Sequence, residues 1–220
     1  MKVHGDYQAD GYALIEGLIP PEVASALLGS LQAGLGGPNK GFDRFESQEL
    51  LTRQPTIEIP GHSFFPLITF LWGLTPMVSE LTGLDLLPSF DYFRIYRKGD
   101  ICRLHTDRPS SEHSLSMTLG YSDNQPWSLD IARLPSDRPV DKLDEDFGEE
   151  PYNSIEMKPG DAVLYRGVER RHGRVTPNPN RSSAHLFLHF VERGGKHQAH
   201  AFDAVRVAEV RKQQQPQAVE

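Results

Sequence analysis

His105-Thr106-Asp107 places an imidazole and a carboxylate two positions apart. On an extended strand, residues i and i+2 project to the same face, so both side chains can reach one ion. A nitrogen from a distant strand would complete a two-histidine, one-carboxylate set. That arrangement leaves positions open on Fe(II) for a co-substrate and O2. The pair alone is a weak signal, because a chain with 9 histidines and 15 aspartates yields a His-x-Asp by chance about as often as not. Its setting is more specific. Phe90 to Arg97 is strand-like, Lys98-Gly99-Asp100 is a turn signal, and Ile101 to Thr106 reads as the returning arm of a hairpin that ends on the pair. Further on, the turn Lys158-Pro159-Gly160-Asp161 leads into the strand Ala162 to Tyr165. Arg170-Arg171-His172-Gly173 follows, then Arg181-Ser182-Ser183 opens another strand.

The elements that must position these residues divide the chain in two. Before residue 87 the pattern is helical with connectors. Tyr12 to Ile15 is a short apolar run able to form a strand, and Pro20-Pro21-Glu22 opens a helix with apolar residues at Val23, Leu27, Leu28 and Leu31. Gly34 to Gly37 and Pro38 are expected to end it. Residues 38–62 form a long connection of the kind that often serves as a lid. Residues 63–83 are helical again, with an interruption expected at Pro76. After residue 87 short β-prone segments dominate: Ser114 to Tyr121, Trp127 to Leu134, Ala162 to Tyr165 and Ser183 to Val191. Between them, Asp141, Asp144, Glu145, Asp146, Glu149 and Glu150 mark a solvated loop. Helices followed by many short strands predict helices packed on a jelly-roll barrel.

Composition bounds the function. At 220 residues the chain suits one domain with a proper core. We read 10–86 as a helical lead-in and lid, 87–192 as the β core and 193–220 as a C-terminal extension. A net charge of −7 argues against a nucleic-acid partner, which calls for a basic footprint. The longest apolar stretch, Phe64 to Leu74, is short for a membrane span. One cysteine, Cys102, allows no internal disulfide and suits a reducing cytoplasm.

Tyr96-Arg97-Lys98-Gly99-Asp100 followed by His105-Thr106-Asp107, then the Pro-Gly-Asp strand, His172 and Arg181-x-Ser183, resembles the Fe(II)/2-oxoglutarate-dependent oxygenases in their prolyl-4-hydroxylase-like branch. The likeness spans residues 10–192. It implies a mainly β fold with flanking helices, built on a double-stranded β-helix (a jelly-roll, cupin-like core). It implies that His105, Asp107 and His172 hold Fe(II). It further implies that Arg181 grips the distal carboxylate of 2-oxoglutarate, assisted by Ser183, Tyr121 and Tyr96. The expected reaction consumes O2 and 2-oxoglutarate, releases succinate and CO2, and hydroxylates a substrate C–H. Asp107 favours this outcome over halogenation, since halogenating relatives replace the carboxylate by a small residue.

No peptide-recognition segment is visible, so a small-molecule substrate, an amino acid or other metabolite, is the expectation. A peptidyl hydroxylase is the nearer alternative, and a non-catalytic metal-binding sensor the alternative from another class. Arg166, Arg170, Arg171 and Arg174 reverse the local charge, and one or two of them are expected to hold an anionic group of the substrate. His185 and His189 share one strand face and read as structural or substrate-facing.

Overall fold

Two-residue alternation organises the β core. The computed structural model describes residues 1–35, 42–136 and 142–214. Gly36, Gly37 and Pro38, expected to stop the first long helix, and Asp141 of the acidic loop lie outside the described residues.

Eight antiparallel strands form the larger sheet: β1 (Lys2–His4), β2 (Tyr12–Glu16), β3 (Glu46–Ser47), β4 (Thr56–Pro60), β5 (Leu86–Arg97), β7 (His113–Tyr121), β10 (Ala162–Tyr165) and β12 (Ser182–Glu192), in the order β1-β2-β10-β7-β12-β5-β4-β3. The smaller sheet has the order β6-β11-β8-β9, from β6 (Cys102–His105), β8 (Leu129–Ala132), β9 (Tyr152–Ile155) and β11 (His172–Arg174). From β5 to β12 the chain repeatedly crosses between the sheets. This is the winding of a double-stranded β-helix.

The larger sheet is buried on both faces, which explains its near-continuous apolar runs. On β12, Ala184, Leu186, Leu188 and Phe190 enter one core with Leu31 of α2 (Pro21–Leu35) and Leu67, Leu71 and Val78 of α3 (Phe65–Thr82). Each such side chain contributes roughly 1.5–3 kcal/mol when fully buried. The alternate residues Ser183, His185, Phe187 and His189 are also buried, and Phe187 packs with Tyr96 and Trp127 inside the barrel. Two more helices, α1 (Tyr7–Asp10) and α4 (Ala204–Gln214), lie near the chain ends. Among the described residues no helix is long and apolar enough to cross a membrane.

Three local expectations are corrected. The β5–β6 segment is not a hairpin, because β5 pairs with β4 and β12 while β6 pairs with β11 in the other sheet. Asp100 redirects the chain here: its Oδ1 accepts from the N–H groups of Arg53, Gln54 and Ile101, each at 2.9 Å. Pro76 lies inside α3 without ending it; the helix runs on to a left-handed Gly83, whose N–H reaches the carbonyls of Ser79 and Glu80. The lead-in is more than helical: besides β2, whose strand character Tyr12 to Ile15 foreshadowed, β1, β3 and β4 extend the larger sheet at its edges.

Candidate metal centre

The register of two short strands brings the distant histidines together. His172, at the start of β11, is the direct antiparallel partner of His105, at the end of β6, and their ring centroids are 4.4 Å apart. Asp107 follows two residues after His105. Its Oδ1 lies 3.5 Å from His105 Nε2 and 3.6 Å from His172 Nε2. One ligand atom from each residue falls within 4.8 Å of the others.

Backbone groups orient all three. His105 Nδ1 donates to the Arg103 carbonyl and His172 Nδ1 to the Arg170 carbonyl, both at 2.8 Å. With the proton on Nδ1, each Nε2 presents a lone pair to the centre, the outer-shell arrangement that metal-ligating histidines use. Burial, and then His172, lower the His105 pKa and keep that lone pair available. Burial opposes ionisation of Asp107, but the two histidines outweigh it and hold the carboxyl well below its ordinary range. The Asp107 N–H donates to the Gly167 carbonyl at 2.8 Å, and Asp107 Oδ2 accepts from Ser114 Oγ at 2.9 Å, which leaves Oδ1 facing the histidines. Two imidazoles and one carboxylate on one face are the donor set of a non-haem Fe(II) site, so the residues present fit the metal.

Gly167 is required by this packing. A Cβ there would lie 2.3 Å from Asp107 Oδ2 and 2.4 Å from the Ser111 carbonyl oxygen. Gly167→Ala is expected to push Asp107 out of line and weaken Fe(II) binding by about 10–100-fold, the usual loss from disturbing an outer-shell partner. An anaerobic metal titration checks this.

Ser114 also fixes the state of His189. Its one hydroxyl proton goes to an acceptor-only oxygen, so the 2.9 Å contact with His189 Nδ1 has Nδ1–H as donor. His189 Nε2 is therefore an unprotonated acceptor; it is buried and has no hydrogen-bond partner. Burial lowers the His189 pKa to about 4.

A cleft of about 440 Å³ opens on the ligand set, lined by His105, Asp107, Tyr92, Arg94 and His189 among others. Of the residues expected to hold 2-oxoglutarate, Arg181 is turned away. Its side chain is 76% exposed, Nε donates to Asp123 Oδ1 at 3.0 Å, and its N–H donates to Asp123 Oδ2 at 2.7 Å. Ser183 is buried and donates to Asn178 Oδ1 at 2.7 Å. The Tyr121 hydroxyl donates to the Met157 carbonyl at 3.1 Å, and the Tyr96 hydroxyl accepts from Arg94 at 3.1 Å.

Two buried guanidiniums occupy the barrel interior instead. Arg94 pairs with Glu58 and lines the cleft. Arg174, two residues after His172, donates to the Trp127 carbonyl and to His185 Nδ1, and lies over the Trp127 ring. Among the described residues no carboxylate lies within ion-pair distance of Arg174. Both guanidiniums act on His185, whose pKa burial and then these charges hold well below its ordinary value. His185 Nε2 is buried without a partner. A buried cation and an orphaned ring nitrogen are an environment suited to an anion. Sequence reading passed over Arg94, although its alternation with Tyr92 and Tyr96 places it on their face of β5.

The other arginines of the cluster have local partners. Arg166 reaches Gln8 and Glu169, Arg170 donates to the Arg133 carbonyl, and Arg171 pairs with Asp144 and Glu150.

No protein-family model matches the sequence, and no curated protein matches it. Solved structures do share the fold. A prolyl-4-hydroxylase from Pseudomonas putida aligns with TM-score 0.59 at 17% identity, covering 86% of this chain and 96% of that one. HygX from Streptomyces hygroscopicus, solved with nickel, 2-oxoglutarate and hygromycin B bound, aligns with TM-score 0.62 at 11% identity, covering 84% of each chain. An oxidoreductase of the 2OG-Fe(II) oxygenase family from Burkholderia pseudomallei aligns with TM-score 0.57 at 16% identity, covering 87% of this chain and 89% of that one.

Proposed function

We propose that this chain is an Fe(II)/2-oxoglutarate-dependent oxygenase that hydroxylates a C–H of a small molecule. The observation that carries the reading is the convergence of His105, Asp107 and His172 beside a cleft that His105, Asp107 and Arg94 line. When bound, Fe(II) with 2-oxoglutarate and O2 supplies the oxidising chemistry, releasing succinate and CO2. The protein's own residues do the rest. The three ligands hold the metal on one face, and the aromatic wall of Tyr92, Phe187 and Trp127 limits water in the interior.

The distal carboxylate of 2-oxoglutarate is assigned to the buried pair Arg94 and Arg174, with the Tyr96 hydroxyl beside them. Arg174 stands two residues from His172, about 6–7 Å along a strand, which suits the length of a five-carbon diacid. Planar guanidiniums bind carboxylates bidentately and stay charged when buried. This assignment replaces Arg181, whose surface pairing with Asp123 takes it out of the barrel. Of the four arginines expected to hold a substrate anion, Arg174 alone keeps an anion-binding role, toward the co-substrate. A small substrate is supported by the size of the cleft, about 440 Å³, which Leu143 and Arg206 line together with the barrel residues. Cys102, buried and free, is consistent with a reducing compartment, and we place the protein in the cytoplasm.

The test is 2-oxoglutarate binding to the Fe(II)-loaded protein under anaerobic conditions, followed by succinate release screened against amino-acid, metabolite and peptide pools. Absence of 2-oxoglutarate binding overturns the reading; turnover with peptides alone moves the substrate to the protein class. Arg174→Gln is expected to raise the 2-oxoglutarate Kd tenfold or more, and Arg181→Ala to leave it within about twofold, since a lost charged hydrogen bond costs about 1.5–3 kcal/mol. The reverse order restores Arg181.

A further inference from the structure

Beside the metal cleft lies a second, more apolar one of about 510 Å³, between β5, α3 and α4. The two share Pro60, Phe90, Asp91 and Arg206. The walls of the second cleft include Ile68, Leu71, Trp72, Phe202, Val207 and Val210. Trp72 and Phe202 are each 57% exposed, although both are large and apolar. Apolar side chains gathered around a concavity mark a binding site more often than a bare surface. Phe202 and Asp203 both have left-handed backbone angles, φ 57° and 53°, where the chain bends into α4. Such angles are costly for residues with side chains, and here they set Phe202 on the rim.

One polar group in this cleft has no protein answer. Asp91 is 5% exposed, and its Oδ2 is buried without a hydrogen-bond partner. The carboxylate packs directly on Gly61, where a Cβ would fall 1.8 Å from Asp91 Oδ1. No arginine, lysine or histidine lies within ion-pair distance of it among the described residues. Asp203 lies within electrostatic reach of Arg206, which lines both clefts; His62 and Arg211 also line the second. Burial raises the Asp91 carboxyl to about 7, as expected of an acid with no compensating charge. A bound ammonium would supply that charge and the missing donor together.

We propose that this cleft holds the body of the prime substrate, and that the substrate is an apolar small molecule carrying an amine received by Asp91. The inference rests on the oxygenase reading and adds the substrate's chemical class. The shared wall at Phe90 and Asp91 places the amine-binding end next to the metal cleft, so a molecule spanning both would bring a neighbouring carbon toward the ligand set.

The test uses three probes of equal chain length, n-octylamine, 1-octanol and octanoate, titrated calorimetrically into the Fe(II)- and 2-oxoglutarate-loaded protein without O2. Octylamine is expected to bind at least tenfold more tightly than either other probe. In Asp91→Asn, which keeps the side-chain shape, that advantage is expected to fall below about twofold. Gly61→Ala, which displaces the carboxylate without removing it, is expected to produce the same loss. Equal or tighter binding of octanoate, an amine advantage that survives both variants, or binding of none of the three probes overturns the proposal. Binding of 2-oxoglutarate is followed in parallel. Its failure in the wild-type protein defeats the oxygenase reading, while the amine preference remains readable in the protein without cofactors.

Discussion

His105→Ala, Asp107→Ala and His172→Ala are each expected to weaken Fe(II) binding by at least a hundredfold and to reduce succinate release to background. The size follows from the geometry. Three ligand atoms converge within 4.8 Å, and each is held by a backbone or side-chain partner, so removing one donor leaves two that cannot close the face. Disturbing only an outer-shell partner of such a site costs about 10–100-fold, and losing a ligand itself costs more. The two histidine variants should behave alike, because His105 and His172 are cross-strand partners with matching carbonyl contacts. Ser114→Ala, which releases Asp107 Oδ2 and the His189 contact but removes no ligand, should lie between these variants and the wild type. An anaerobic Fe(II) titration and a succinate assay with saturating 2-oxoglutarate check the series. Metal binding retained in His172→Ala but lost in His105→Ala would dissolve the assignment of the distal ligand.

That His105, Asp107 and His172 cluster was legible in the sequence because strand alternation and the order of the later motifs agree with the family resemblance. A His-x-Asp at a strand end needs only period-two alternation to converge, and the later turn, strand and histidine arrive in the order the winding requires. The β segments were legible for the same reason, and Ala162–Tyr165 and Ser182–Glu192 match their expected ranges within a residue. The β5–β6 turn was not. Lys98-Gly99-Asp100 has hairpin chemistry, yet Asp100 spends its carboxylate on the backbone of Arg53 and Gln54, partners more than forty positions away. The weak strands β3, β4 and β9 were missed because their pairing partners supply the order that their own composition lacks.

The proposed anion site shows the same division between local and distant causes. Alternation would put Arg181 on the face of Ser183, inside the barrel. The chain turns just before it, where Asn178 Oδ1 accepts from the Asn180 N–H at 3.0 Å and from Ser183 Oγ at 2.7 Å. Asp123, 58 positions upstream, then captures Arg181 on the outside through its N–H and Nε. Neither contact can be read from a motif. Arg174 was singled out for its charge, but its meaning depends on where Trp127 and His185 sit, since these surround the guanidinium without neutralising it. A motif therefore predicts the clustering of His105, Asp107 and His172 better than it predicts where the Arg181 side chain lies.

Asp91→Asn is expected to stabilise the metal-free protein at pH 8 by up to about 4 kcal/mol and to leave it near wild type at pH 4.5. Burial raises the folded carboxyl to about 7, while an unfolded aspartate titrates near 3.9. Between those values the folded protein binds the proton that the unfolded chain has released, so stability falls as pH rises and the loss is complete above about 7. Near pH 4.5 the wild-type side chain is largely neutral in the fold and asparagine mimics it; at pH 8 the wild type carries a buried charge that the variant lacks. His113 and His189, both lowered to about 4, titrate in the same range with the opposite sign. They are common to both proteins and cancel in the difference, as do Asp203 and Arg206, which line the same cleft. Urea unfolding at the two pH values measures the effect, and a stability difference independent of pH would show that Asp91 does not ionise in the fold. A carboxylate that weakens the protein near neutrality, in a cleft where no side chain answers it, is a group whose compensation comes from a ligand. An amine bound there should therefore raise wild-type stability at pH 8 more than it raises that of Asp91→Asn.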